Sequence, residues 1–397
     1  MALTTVNVIG VSQNKGLAAL AFPCSTKFSS RNYHSESSFQ LMRQSNIQCT
    51  AIFTGASSSV AKTTESLSDA EDSFNATSPA TSWSQFARNV SGEWDGFGAD
   101  FSNEGKPIEL PESVVPEAYR EWEVKLFDWQ TQCPTLAEPE EEQHVLVYKS
   151  IKLLPTVGCE ADAATRYNVN VRNVGGVKNR VTAFTYQSSG CYVAVWPGEE
   201  DQKVSSSIKK LMELEHCLIS PQDRESRVRI IQVVRIDDKK IVLQSIRVFR
   251  EQWYGPFRNG EQLGGCAIHD SAFATTAPMT ASELNGIWQG PRAVTTFDGR
   301  MTDFLQEALD DSMQKSVRDG CNVVFLPKQL WCLLKQNTDG EISCEVGWLV
   351  DKGHAITSRC ILSGTGEVKT ATRISIIRSC NGRSIHYVIC GGNINSM

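Results

Sequence analysis

Gly92-Glu93-Trp94-Asp95-Gly96 decides how this chain is read, because it returns as Gly286-Ile287-Trp288-Gln289-Gly290. The second copy begins 194 positions after the first, which leaves room for one complete β domain between them. A short amphipathic lead-in precedes each copy: Trp83, Phe86 and Asn89 before the first, Leu284 and Asn285 before the second. Self-similarity at domain scale is a statement about architecture. It predicts a mainly β fold of two related antiparallel β-barrels in tandem.

Bulk composition sets the bounds. A chain of 397 residues holds about two to three domains. Hydrophobic content of 41% with 21% charged residues is that of ordinary globular protein. A net charge of −6 creates no field that would gather nucleic-acid phosphates or anionic lipid. No apolar run approaches the ~20 residues of a membrane span. The thirteen cysteines contain no Cys-x-x-Cys pair and no clustered histidines, so no metal site is expected. They read as small buried hydrophobes in a reducing compartment.

Residues 1–82 read as a transit peptide followed by a linker. Up to position 60 the chain is rich in Ser and Thr and carries Lys15, Lys27, Arg31 and Arg43 against one acid, Glu36. This basic, hydroxylated, acid-poor composition marks an organelle address. Ile47-Gln48-Cys49-Thr50-Ala51 resembles a stromal processing site, which points to the plastid stroma. Ser57 to about Ala80 lacks apolar periodicity and reads as linker.

The first barrel is expected over residues 83–256. Gly92 to Phe101 reads as a strand loosened by Gly96 and Gly98, and Trp122, Val124 and Leu126 alternate as on a half-buried strand. Strands follow at His144–Leu154, Val181–Tyr186 and Cys191–Trp196, while Ser205–Glu215 fits helix or strand. Arg227–Ile236 and Lys240–Trp253 form the clearest hairpin, joined at Asp237-Asp238-Lys239. The acidic run Glu138 to Glu142 reads as a solvated loop. Residues 257–280 read as an inter-domain passage.

The second barrel is expected over 281–397. Met301, Phe304, Leu305, Ala308 and Leu309 have helical spacing, which predicts an amphipathic helix over Thr302–Val317. Strands follow at Asn322–Leu326, Lys328–Gln336, Glu341–Val350 and His354–Leu362, with a hairpin turn at Asp339-Gly340. The last strands must come from Ile374–Ile377 and Tyr387–Cys390. At about 115 residues this unit is short for eight closed strands, so its closure is left open.

Trp83…Phe86…Asn89-Val90-Ser91-Gly92-Glu93-Trp94 resembles the first-strand signature of lipocalin-like (calycin) barrels. Gly105, Ile108-Glu109-Leu110-Pro111-Glu112 and Asp128-Trp129-Gln130-Thr131-Gln132-Cys133 extend the likeness to an uncharacterised plastid and cyanobacterial family of tandem calycin barrels, across residues 83 to 370. The resemblance implies a helix-closed barrel base, an interior for one apolar or amphipathic ligand, and a tryptophan plate on the floor. It also implies a late-strand arginine over that plate: Arg247 or Arg250 for Trp94, and Arg359 for Trp288.

Arg227, Arg229 and Arg235 share one parity, opposite Val228, Ile230, Val234 and Ile236. Facing outward they are solvated surface. Facing inward they make a basic lumen that selects carboxylate, phosphate or propionate groups. No Gly-x-Ser-x-Gly, phosphate loop, His-Glu-x-x-His or Cys-x-x-Cys-His is present, so no catalytic residue and no cofactor is assigned. The expected function is a plastid protein that binds a hydrophobic or amphipathic small molecule, such as a pigment, tetrapyrrole, isoprenoid or fatty-acid derivative. Its candidate ligand-binding residues are Trp94, Trp288, Arg227, Arg229, Arg247 and Arg359. An enzyme on the same scaffold (isomerase, cyclase or pigment-attaching lyase) and an interaction scaffold with filled barrels are the alternatives.

Overall fold

The computed structural model describes residues 81–139, 144–157, 166–198, 210–237, 240–261, 272–297 and 304–378. The transit-peptide and linker readings, most of the acidic run and the tail beyond 378 lie outside them. Ten strands make up the first part of the chain: β1 (Glu93–Ser102), β2 (Asp128–Gln132), β3 (Thr135–Ala137), β4 (Leu146–Leu153), β5 (Arg166–Val174), β6 (Ala183–Tyr186), β7 (Tyr192–Pro197), β8 (Lys210–Ile219), β9 (Ser226–Asp237) and β10 (Lys240–Gly255). Eight more follow: β11 (Gly286–Thr296), β12 (Leu305–Glu307), β13 (Leu309–Arg318), β14 (Val323–Leu326), β15 (Leu330–Gln336), β16 (Ile342–Asp351), β17 (His354–Leu362) and β18 (Val368–Arg378).

Each barrel opens in the same way. The helix α1 (Ser82–Val90) is capped by the Thr81 hydroxyl, and Trp83, Phe86, Ala87 and Val90 form its buried face. Ser91 is extended and ends the helix, and Gly92 at φ 140° turns the chain into β1. Before β11, Ala281–Leu284 forms one helical turn with a Thr280/Glu283 capping box, and Gly286 at φ 135° makes the same turn. Trp94 Nε1 donates to Val90 O at 2.9 Å, and Trp288 Nε1 to Leu284 O at 2.7 Å. Both indoles are fully buried. The duplicated pentapeptide is therefore a duplicated joint: helix end, positive-φ glycine, and an indole tied back four residues.

The first sheet has eleven strands in the order β12-β6-β7-β8-β9-β10-β1-β2-β4-β3, with β5 beside β4. All its pairings are antiparallel except that of β12 with β6. β10 returns to β1 with Arg250 opposite Phe97, and the sheet curls into a barrel. Among the described residues no ladder joins β5 to β6 or β7, so the barrel has an open seam there. The second sheet is antiparallel, in the order β13-β11-β18-β17-β16-β15-β14. Among the described residues its seven strands leave β13 and β14 as separate edges, an incomplete barrel.

Two expectations fail. The described part of the expected Thr302–Val317 helix, residues 304–317, is not helical: Leu305–Glu307 is a strand lent to the first sheet, and β13 pairs with β11, placing Ser316 opposite Trp288. Leu309, Met313 and Val317 mimic helical spacing, yet all three are exposed apolar residues on an edge strand. A bulge at Pro291/Arg292 also breaks the period of two in β13's ladder. Glu121–Leu126 is not a strand either. A short helix, Glu117–Glu121, ends there, Glu123 takes φ 54°, and Trp122 lies exposed. Lys210–Ile219 resolves the ambiguous Ser205–Glu215 segment as strand from position 210 onward.

The two sheets pack face to face. Val228, Ile230, Val234 and Ile236 of β9 join one apolar cluster with Leu330, Cys332, Cys344, Val346, Ile356 and Cys360 of β15 to β17. Polar ties cross this interface. His216 Nδ1 lies 2.8 Å from Ser358 Oγ, and Gln232 Nε2 donates to Leu333 O at 3.3 Å. Burial pushes the His216 imidazolium down to about 4, against the opposing pull of Glu215 and Glu345. An unfolded histidine takes its proton near 6.5. Stability is therefore full above that pH and falls as pH drops from about 6.5 toward 4, by on the order of 3 kcal/mol. Urea unfolding of His216→Gln at several pH values is expected to show a flatter profile in that window than wild type. Equal slopes would overturn the assignment.

Inside the second barrel the Trp331 ring lies against Gly347, where an added Cβ would meet Trp331 Cζ2 at 1.9 Å. Gly347→Ala is expected to destabilise by about 1–3 kcal/mol, read as a lower urea midpoint at constant m-value. An unchanged midpoint would show that the ring moves aside freely.

Candidate functional site

The lumen of the first barrel is where the chain concentrates its charge. At the floor, the Arg227 guanidinium lies 4.2 Å from the Trp94 ring centroid. Arg227 Nε donates to Glu251 Oε2 at 2.6 Å, Nη1 to Thr135 Oγ1 at 3.3 Å and Nη2 to Cys133 O at 3.4 Å. Arg229 grips both Glu251 oxygens, at 3.0 and 2.7 Å, and reaches Glu215 Oε1 at 3.0 Å. Glu215 also accepts from Tyr148 Oη at 2.5 Å, Tyr192 Oη at 3.1 Å and Trp196 Nε1 at 3.1 Å.

Arg172 extends the series toward the mouth. It pairs with Glu215 at 3.4 Å and with Glu213, while its guanidinium sits 4.9 Å from the Trp196 centroid. Arg247 then links Glu213 at 3.8 Å to Asp100 at 2.9 Å, and Asp100 meets Lys152 at 3.6 Å. The result is one alternating chain: Arg227, Glu251, Arg229, Glu215, Arg172, Glu213, Arg247, Asp100, Lys152. It runs from a fully buried floor to a partly hydrated mouth, with the Arg247 and Asp100 side chains 31% and 34% exposed.

Strand parity builds this chain. β8 directs Glu213 and Glu215 inward and Met212 and Leu214 into the inter-sheet cluster. β9 does the same with Arg227 and Arg229 against Val228 and Ile230. Burial alone would raise the carboxyls of Glu215 and Glu251, but the guanidiniums beside them outweigh it and hold both below the usual range. Burial, followed by the Glu215 charge, pushes the Tyr148 and Tyr192 phenols well up, so both remain donors to Glu215.

Beside the chain, at the open seam, lies a pocket of about 210 Å³. Asn170, Val171 and Arg172 of β5, Arg180 of the following turn, Trp196 to Gly198, Leu211, Glu213 and Val233 line it. This is smaller than the roughly 300–1,000 Å³ of sites that engulf drug-sized ligands. It has both cationic and apolar walls. Among the described residues no cluster of three or more His, Cys, Asp or Glu is arranged to hold a metal ion.

The second barrel repeats one part of this design. Glu345 accepts from Arg359 at 3.0 and 2.7 Å, from Arg318 at 2.5 Å and from Trp331 Nε1 at 3.4 Å. Trp331–Glu345–Arg359 thus matches Trp196–Glu215–Arg229, each drawn from three successive strands. The two guanidiniums again overcome burial and lower the Glu345 carboxyl.

The structure sorts the candidate residues. Arg227 and Arg229 are buried inward, and each already has a carboxylate partner. Arg227, rather than Arg247, covers Trp94, because β9 brings position 227 to the floor while position 247 lies toward the mouth against Asp100. Arg359 is bound to Glu345, and Arg318 stands 5.6 Å from the Trp331 centroid. Arg235 is partly exposed and pairs with Asp237. Glu215, Glu251, Arg172 and Trp196 escaped the reading of the chain. The alternation of Glu213 and Glu215 with Met212 and Leu214 was the signal that counter-ions share the arginines' face.

Removing one member of a buried pair strands the other. Glu251→Gln is expected to lower the unfolding free energy by about 3–5 kcal/mol, whereas Lys125→Ala at the exposed Lys125–Glu109 pair should cost less than about 1 kcal/mol. Acid should act in the same direction. The lowered carboxyls of Glu215, Glu251 and Glu345 stabilise the fold fully above about pH 4.3, and that contribution disappears as pH falls through their folded values. Similar urea midpoints for the two variants would show that the lumen chain adds no more than a surface pair.

No family model matches the chain, and no curated protein matches it. A solved structure of a protein of unknown function from the DUF3598 family of Nostoc punctiforme PCC 73102 is similar, with a TM-score of 0.43 and 14% identity over 75% of this chain and 99% of that one.

Proposed function

We propose that this protein binds a small amphipathic molecule in the seam pocket of its first barrel. The observation that carries the reading is the pocket itself: about 210 Å³, lined by apolar Val171, Leu211 and Val233 together with charged Arg172, Arg180 and Glu213. A few polar groups set against apolar walls are what orient a ligand. The edge of β5, unpaired among the described residues, provides an entrance that a closed barrel would lack. In this reading Arg172, Arg180 and Trp196 meet the ligand. Trp94, Arg227, Arg229 and Arg247 hold the lumen in shape beneath it, and Trp288 and Arg359 do the same in the second barrel. Residues 83–256 and 281–397 are the two barrel units, and the basic, hydroxylated start of the chain supports a plastid address.

Native mass spectrometry of the full chain purified from plastid-containing cells is expected to show a bound small molecule, released under denaturing conditions. Leu211→Trp, which puts a larger side chain into the pocket, should abolish it, while its far-UV circular dichroism stays that of wild type. A wild-type chain at its bare mass, or a ligand retained by Leu211→Trp, would overturn the reading.

A further inference from the structure

The charges in the lumen do not cancel. Along the alternating chain, five cations (Arg227, Arg229, Arg172, Arg247, Lys152) face four carboxylates (Glu251, Glu215, Glu213, Asp100). Both ends of the series are cationic. The floor end is satisfied by the Trp94 face, Thr135 and the Cys133 carbonyl, so the unmatched cation of the series is Lys152, at the mouth. Arg180 is a further cation, on the wall of the seam pocket with Arg172 and Glu213. It is exposed on the pocket rim, and its guanidinium forms no ion pair among the described residues. Its backbone is held by the turn: Arg180 N donates to Asn173 O at 3.3 Å, and Asn179 Oδ1 accepts from Gly175 N at 3.0 Å.

We infer that the seam pocket selects an oxyanion, a carboxylate or phosphate head on a short apolar body, with Arg180 as the recognising cation beside Arg172. This rests on the small-molecule reading above and names its ligand class. Guanidinium is suited to both head groups, through paired N–H donors in a plane. Arg227 and Arg229 are excluded from that role because they are fully buried and do not line the pocket, and Arg172, already paired with Glu213 and Glu215, is the secondary cation. The apolar body lies against Val171, Leu211 and Val233, and the pocket's small volume limits it to a short chain or to the head end of a longer one.

Isothermal titration of the full chain with octanoate, octyl phosphate and 1-octanol tests this, because the three share an apolar chain and differ in charge. At least one of the two anions is expected to bind tenfold or more tightly than 1-octanol, and Arg180→Gln should remove that preference while leaving the melting temperature unchanged. The tighter anion identifies the head group. Equal binding of 1-octanol, or a preference that survives Arg180→Gln, overturns the anion inference and leaves small-molecule binding standing. If none of the three binds, the inference falls, and the native-mass experiment decides the broader reading separately.

Discussion

The first barrel depends on an alternating row of buried charges. Taking an isolated guanidinium or carboxylate out of water costs several kcal/mol. Arg227, Arg229, Glu215 and Glu251 are tolerated in the interior because each faces an opposite charge and additional donors or acceptors. Such a row specifies geometry more than it adds stability, since one displaced strand would leave a charge unpaired. It links β1, β4, β5, β8, β9 and β10 into one register. Apolar contacts of the usual kind, non-directional and tolerant, would not do this.

The row also determines what space is left. Trp94 and Arg227 seal the floor, and the tyrosines on Glu215 fill the middle. Open volume lies near Arg172 and Trp196, where among the described residues β5 pairs on one side alone. The lumen is therefore unlike the apolar cup that its first-strand motif implies. It is a polar stem with a small two-faced pocket at its side.

The two barrels open alike and differ beyond that. The helix-glycine-tryptophan joint and the Trp–Glu–Arg set recur in both. In the second, Trp331 packs against Gly347 and the sheet has seven strands among the described residues. Its outer face buries the outer face of β8 and β9, and β12 extends the first sheet beside β6. The second barrel thus serves the first as wall and as strand donor. This explains why β9 is buried on both faces.

The sequence by itself determined the local geometry: two joints with a glycine at positive φ, the β9–β10 hairpin, and the parity that separates Arg227 and Arg229 from Val228 and Ile230. These follow from backbone sterics and side-chain alternation, which act over a few residues. Which face of β9 was solvent could not be read from it, because the answer was neither: the other sheet, supplied from more than a hundred residues away, covers one side. Likewise the counter-ions of the arginines, the strand nature of Leu309–Arg318 and the seam beside β5 depend on which strands become neighbours. Only the tertiary structure decided these, because long-range pairing brings together charges and edges that no local spacing records.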